Sequence, residues 1–242
     1  MILLGCAGWS LPRAVHDAFG EGGSHLARYA TRFPATEINS SFHRPHQRSL
    51  YEKWAAAVPD TFRFCAKLPK TITHERRLVD CGSLLDAFLA QADGLGDKLA
   101  CLLVQLPPSF AFERRLTEAF LCSLRERFRG ALALEPRHAS WFTPDADALL
   151  RDFQVARVLA DPVRHDPGRW PGGWPQRVYL RLHGTPRMYY SSYELPLLHA
   201  LADRMLKAEA QGAEVWCMFD NTASGAAAGD ALVLQRLLEE RR

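Results

Sequence analysis

In the stretch ALALEPRHASW, from Ala131 to Trp141, an apolar run gives way to Glu135, Arg137, His138 and Trp141. A carboxylate beside a guanidinium and an imidazole is material for general acid–base chemistry, which needs a group whose proton affinity its neighbours can tune. Other apolar runs end in the same way. The first reaches Gly8 and Trp9, and the next three reach Glu37 with Asn39, Lys67 and Gln105. Past Glu135 the ends are Asp161, Arg181 with His183, and Asp220 with Asn221.

Glu135 is the first candidate acid or base, with Glu37 and Asp161 as second carboxylates and His183 as a catalytic imidazole. Two carboxylates could also serve glycoside cleavage, where their separation decides the mechanism. His74, His138 and His183, taken with those carboxylates, offer nitrogen and oxygen donors of the kind divalent metals use. They lack the local ligand spacing of a metal motif, so no metal site is assigned and no cofactor is named. Lys67, Arg137 and Arg181 are cations that favour an anionic substrate. In NTASGAAAGDA, Thr222 or Ser224 could cap the last helix and leave backbone N–H groups for an anion. The sequence therefore predicts an anion between the seventh and eighth strand ends, with Arg181 as main cation and the backbone near Ser224 and Gly225 as neutral donors. Trp9, Trp141 and Tyr190 could stack a base or sugar ring. Asn39, His74, Gln105, His138, Asp220 and Asn221 complete the predicted binding set. The expected ligand is an anionic small molecule or a nucleic-acid-like compound. The expected function is acid–base or hydrolytic chemistry on it, the alternative being a non-catalytic binding protein that uses the same mouth.

These side chains need a scaffold that brings many strand ends together. Eight apolar runs can be read: ILLGCAG, ATEIN, FRFCAK, ACLLVQL, ALALE, VARVLAD, RVYLRLHG and EVWCMFDN. Segments with helical spacing separate most of them, among them RRLTEAFLCSLRERF, DADALLRDF and ELPLLHALADRMLKAEA. Strands alternating with helices predict parallel pairing through helical crossovers. Eight such units in 242 residues match a TIM-type (β/α)8 barrel of one domain over 1–242. In that fold the strand ends converge on one face, where active sites lie. The sixth crossover, DPVRHDPGRWPGGWPQR, is rich in proline and glycine and predicts a short helix or a loop. Alternate strand residues share a face, so Glu37 with Asn39, Glu135 with Arg137 and Arg181 with His183 are paired by direction.

Composition sets the outer limits. With 48% hydrophobic and 24% charged residues the chain reads as globular, with no membrane span and no disordered tract. A formal charge of +3 is too slight for a dedicated nucleic-acid binder with a dense basic stripe. Six cysteines have no paired C-x-x-C spacing and several sit in apolar runs, so free thiols in a cytoplasmic protein are expected. MILLGCAGWS imitates a lipoprotein box at Leu3 to Cys6, but no basic region or long apolar segment precedes it.

The motifs GCAGWS, TEINSSFHRP, FRFCAKLPKTITH, LVQLPPSF, ALEPRHASW, YLRLHG and FDNTASGAA, in this order, resemble the YecE-like family, domain of unknown function 72. The resemblance spans nearly the whole chain. It implies a TIM-type barrel and supplies no reaction. The chain departs from the family pattern at Leu11, where an aromatic is common, at His43, where Tyr is common, and at Asp220, where Asn is common. If these positions touch a ligand, substrate preference here is altered.

Overall fold

A computed structural model describes residues 1–242. Each expected apolar run forms a strand: β1 (Ile2–Ala7), β2 (Ala35–Ile38), β3 (Arg63–Lys67), β4 (Leu99–Gln105) and β5 (Ala131–Glu135). The sixth run is divided into β6 (Val155–Arg157) and β7 (Leu159–Asp161). After a two-residue strand, β8 (Gly172–Gly173), come β9 (Arg177–Leu182) and β10 (Glu214–Phe219). The sheet order is β7-β9-β10-β1-β2-β3-β4-β5-β6-β8. All pairings are parallel except β6 with β8.

The two ends of that order belong to one run of chain. β6 pairs with β5, Val158 N–H donates to Leu134 O at 2.9 Å, and β7 then pairs with β9. The run Val155–Asp161 thus passes its hydrogen bonds from one neighbour to the other and brings the sheet round into a barrel of eight strand positions. The ten strands arise from this division and from the small antiparallel β8. As the proline and glycine content predicts, the sixth crossover contains a single 3₁₀ turn, Asp166–Arg169, and no α-helix.

Helices cover the outside: α1 (His25–Tyr29), α2 (Ser40–His43), α3 (Arg48–Ala56), α4 (Gly82–Ala92) and α5 (Arg114–Arg127), then α6 (Pro144–Asp152), α7 (Leu195–Ala210) and α8 (Ala226–Glu239). Ser24 caps α1 and Thr143 caps α6, each accepting an orphan N–H that the first turn leaves free. The α8 expectation is corrected: neither Thr222 nor Ser224 caps it. The Ser224 hydroxyl donates instead to Tyr190 O at 2.5 Å, and Gly225 takes the N-cap position at φ 80°, a left-handed conformation that glycine adopts without strain.

Two apolar layers follow from the two-residue period of the strands. Leu4, Phe64, Ala66, Val104, Leu134, Leu180 and Phe219 pack outward against the helices. Leu3, Ala35, Cys65, Leu103, Ala133, Val158, Tyr179, Trp216 and Met218 fill the barrel. Small residues oppose large ones there, and Tyr179 and Trp216 stack with ring centroids 5.9 Å apart. At Gly5 a Cβ would meet Ala35 O at 2.0 Å, so the close approach of β1 to β2 requires glycine.

Candidate functional site

The alternation that fills the barrel also seats the chemistry above it. Two residues beyond inward-facing Ala35, Cys65, Leu103, Ala133, Tyr179 and Met218 stand Glu37, Lys67, Gln105, Glu135, Arg181 and Asp220. All six are buried. Burying charges demands partners, and Arg181 is the hub that supplies them. Its Nε and Nη2 donate to Glu37 Oε2 and Oε1 at 3.0 and 2.6 Å. Nη1 donates to Glu135 Oε2 at 2.5 Å, and Nη2 also reaches Asp220 Oδ2 at 3.0 Å. Tyr179 OH adds a bond to Glu37 Oε2 at 3.0 Å.

Around this hub the remaining partners are placed by the next turn of each strand. Arg137 Nε donates to Glu135 Oε1 at 2.9 Å, and Asn39 Nδ2 donates to Asp220 Oδ1 at 3.2 Å. His183 Nδ1 lies 2.9 Å from Asp220 Oδ2. Its Nε2 is buried without a hydrogen bond, 3.5 Å from Glu135 Oε1, a separation too long to count as one.

Electrostatics sorts these groups. Burial alone would raise Glu135, but the charges of Arg181, His183 and Arg137 hold it well below the usual carboxylate range. Asp220 is lowered in the same way, against its burial, by Arg181 and His183. For His183, burial opposes the charged form, yet the hydrogen bond to Asp220 and the negative charge of Glu135 outweigh it and raise the imidazole above 6.5. Lys67 moves the other way. Burial, followed by the charge of Arg181, pushes its ammonium down to about 8 despite Glu37, Glu135 and Asp220.

Two clefts open beside the cluster. One is narrow, with a cavity volume of about 20 Å³, and is lined by Glu135, Arg137, Arg164, His165 and His183 among others. A wider one of about 480 Å³ lies over the ends of β1 and β2, between Trp9, Ser10, His25, Glu37 and Asn39. Trp9 is itself braced edge-on by Trp54 at 5.0 Å.

Several sequence-predicted residues stand elsewhere. Asp161 does not join the carboxylates, because it shares the outer face with Leu159 whereas Val158 and Ala160 hold the inner positions. Its Oδ2 accepts from Tyr193 OH at 2.8 Å and Thr185 Oγ1 at 2.6 Å. Trp141 is fully buried and its Nε1 donates to Phe110 O at 2.9 Å, so it packs beneath the loop after β4. Asn221 donates to Asp230 Oδ2 at 2.7 Å and to Ser191 O at 2.9 Å, fastening the loop after β9 to α8. His138 accepts from Ser140 N and caps the short 3₁₀ turn Ala139–Trp141. His74 bonds Thr73 Oγ1 and packs on Phe42, with burial and the charge of Lys67 lowering its affinity for a proton. Tyr190 is exposed, and the Arg187 guanidinium lies 4.0 Å from its ring centroid. The histidines and carboxylates considered as metal donors do not converge on a ligand set.

The anion site expected at Arg181 is also corrected. Arg181 has no exposed surface and is saturated by three carboxylates. Of the backbone donors, Gly225 N–H donates to Thr222 O, Ala227 N–H to Asn221 O and Ala223 N–H to Tyr189 O. The cations facing a cleft are instead Arg137 and Arg164, with the His165 imidazole beside them. The last two come from the proline-rich loop, which carries no periodic signal. Tyr179 could have been found from its place two residues before Arg181.

The comparisons agree with this architecture. Residues 3–242 match the family described as Protein of unknown function DUF72. The chain is 24% identical over 268 residues to UPF0759 protein YunF of Bacillus subtilis, covering 99% of this chain and 95% of that one. It is 32% identical over 168 residues to UPF0759 protein YecE of Escherichia coli, covering 66% of this chain and 59% of that one. A crystal structure of a DUF72 family protein from Enterococcus faecalis superposes with a TM-score of 0.80 at 25% identity, covering 99% of this chain and 98% of that one. With the same barrel and a match along its whole length, the chain belongs to the DUF72 family.

Proposed function

We propose that the barrel mouth is an acid–base catalytic site for a phosphorylated or nucleic-acid-like anion, with His183 as the proton donor. The observation that carries this reading is the pairing of His183 Nδ1 with Asp220 while Nε2 has no hydrogen bond and the imidazole lines a cleft beside Arg137, Arg164 and His165. A carboxylate on one imidazole nitrogen fixes ring orientation and tautomer and leaves the other nitrogen for proton transfer. Because His183 titrates above 6.5, its imidazolium is available as an acid near neutrality. Glu135 is pinned in its ionised form by two guanidinium groups and is poorly suited as a base, so its part is to hold Arg137 and Arg181 and to favour the imidazolium. The guanidinium groups of Arg137 and Arg164 and the His165 imidazole bind the anionic group. The imidazolium protonates the oxygen that leaves or becomes negative, and the wider cleft over Trp9 accepts the rest of the molecule.

The test compares wild type with His183→Asn on p-nitrophenyl phosphate, bis(p-nitrophenyl) phosphate and short oligonucleotides, with inorganic phosphate binding followed by calorimetry. Loss of a positioned general acid lowers kcat by about 10²–10⁴-fold, while phosphate affinity should stay within about threefold because Arg137, Arg164 and His165 remain. Arg164→Ala should weaken phosphate without unfolding the protein. Turnover at the wild-type rate in His183→Asn would overturn the assignment.

A further inference from the structure

We propose that Lys67 Nζ is a nucleophilic amine that forms an imine with a small carbonyl compound bearing an anionic group. The reading of the mouth as an anion-binding site enters only in the choice of that compound, and the amine's reactivity stands on separate observations.

Lys67 ends β3 on the inner face, two residues above Cys65 in the barrel core. It is buried to 8% exposure, and its ammonium lies 4.1 Å from the ring centroid of Phe42, with neither a carboxylate nor a carbonyl as a close partner. The contrast with Lys98 is informative. Lys98 is also largely buried, yet its ammonium donates to Ala55 O and Val58 O, both at 2.8 Å, and pairs with Asp60 at 3.2 Å. A buried lysine kept for stability is expected to look like Lys98, its charge paired, whereas Lys67 Nζ has no protein partner and is not fully enclosed, so its lone pair can be reached from the mouth. Around Lys67 the carboxylates of Glu37, Glu135 and Asp220 are all drawn to Arg181. The charged groups that act on it are therefore a competing guanidinium and three carboxylates already committed elsewhere, with neutral-leaning His74 across Phe42. Desolvation next to another cation is a known way of activating a lysine for covalent work with carbonyls.

The step balances without redox chemistry. The Nζ lone pair attacks the carbonyl carbon, an N–C bond forms and the carbonyl oxygen becomes a hydroxyl as the amine gives up a proton. One further proton, from the His183 imidazolium or solvent, goes to that hydroxyl. The C–O bond breaks, water leaves and the nitrogen lone pair closes the C=N bond of a protonated imine. One amine, one carbonyl and one proton give one iminium and one water. The cationic nitrogen then acidifies the adjacent carbon, which is useful to an enzyme that moves protons at a carbonyl compound.

The chain has five lysines, Lys53, Lys67, Lys70, Lys98 and Lys207, so four serve as internal controls. Folded wild type is incubated near neutrality with glyceraldehyde 3-phosphate or with uncharged glycolaldehyde, each with sodium cyanoborohydride, and the modified sites are mapped by peptide mass spectrometry. An amine titrating at about 8 is roughly a hundredfold more deprotonated near pH 7.5 than one at the ordinary value near 10.4. Even with restricted access, modification of Lys67 should exceed that of every other lysine by about tenfold, and its extent should rise most steeply near pH 8. Labelling graded by exposure, with Lys53, Lys70 and Lys207 foremost and Lys67 unmodified, would overturn the proposal. Equal labelling of Lys67 by both aldehydes would uphold the amine and count against the anion site alone. The readout is made on wild type, so it does not depend on a variant that folds.

Discussion

Replacing Arg181 by methionine should turn the centre of the barrel mouth from a balanced cluster into a strained one. The guanidinium makes four hydrogen bonds to three carboxylates and has no exposed surface. Summing charge-assisted bonds would overstate the loss, because the four share one ion and the carboxylates can partly rehydrate. Removing one member of a buried pair costs about 3–5 kcal/mol, and a cluster left with surplus negative charge belongs near the upper end. For a domain of this size each kcal/mol moves Tm by about 2–4 °C, so Arg181→Met should melt roughly 10–15 °C below wild type near pH 7.5. The pH dependence carries a sharper signature. In wild type Glu135 and Asp220 are lowered, so they contribute stability present above about pH 4 and lost as pH falls through their folded values. Without Arg181 their largest remaining influence is burial, which raises both. A raised carboxylate makes the folded state gain stability as pH falls, so the deficit should shrink markedly between pH 7.5 and 5. Thermal melts of both proteins across that range, monitored by circular dichroism, provide the assay. A deficit under about 3 °C, or one constant with pH, would refute the view that Arg181 keeps Glu135 and Asp220 ionised.

The other predictions concern neighbouring devices. His183 is raised above 6.5, so its charge contributes stability that is complete below that value and lost as pH rises through its folded value; in His183→Gln this part of the stability–pH curve should be flat, and an unchanged curve would count against it. Asp230→Ala removes the acceptor of Asn221 Nδ2 at 2.7 Å and Tyr193 N at 3.1 Å, which should cost about 1–3 kcal/mol in urea denaturation because two buried donors lose their partner. Only Cys122 of the six cysteines is exposed, so a thiol reagent should find one fast group in the native protein and six after unfolding, and fewer than six would reveal a disulfide.

The barrel was legible because its strands are short apolar runs separated by helical spacing, and because proline and glycine mark the one crossover that lacks a helix. The inner cluster was legible for the same reason. In ATE, CAK, ALE and YLR the polar residue falls two positions after an inner residue, so parity alone directs it inward. VARVLAD ends in an acid too, but its inner positions are Val158 and Ala160, and the transfer of pairing at Val158 leaves no trace in composition. Asp161 therefore looked equivalent to Glu135 and points the other way. The amphipathic α3 was passed over although Tyr51, a buried residue, and Trp54 have helical spacing. That Arg181 is saturated could not be read at all, since it depends on carboxylates from three other strand ends meeting one guanidinium. Trp141 and Asn221 resemble ligand-binding residues in type, and only the packing reveals that Phe110 O and Asp230 claim them.

A barrel mouth needs no such cluster for stability, since a buried ion network is often no better than apolar packing of the same volume. What Arg181 does accomplish is a division of roles. It gathers Glu37, Glu135 and Asp220 around one guanidinium, and two of these, Glu135 and Asp220, flank His183 and favour its imidazolium. The same guanidinium repels the Lys67 ammonium and denies it the carboxylates that would have paired it. The carboxylates gathered by this one buried cation thus outweigh its own repulsion of the imidazole and raise it, while the amine is lowered to about 8, one suited to give a proton and the other to act unprotonated. Pairs of groups driven apart from their ordinary values in this way mark acid and base roles. Weakening the hub should therefore alter both together: Arg181→Lys, which keeps the charge but not the forked geometry, should lower the His183 value and raise that of Lys67 in NMR titrations. A shift in one without the other would separate the two groups and remove the argument that they belong to a single site.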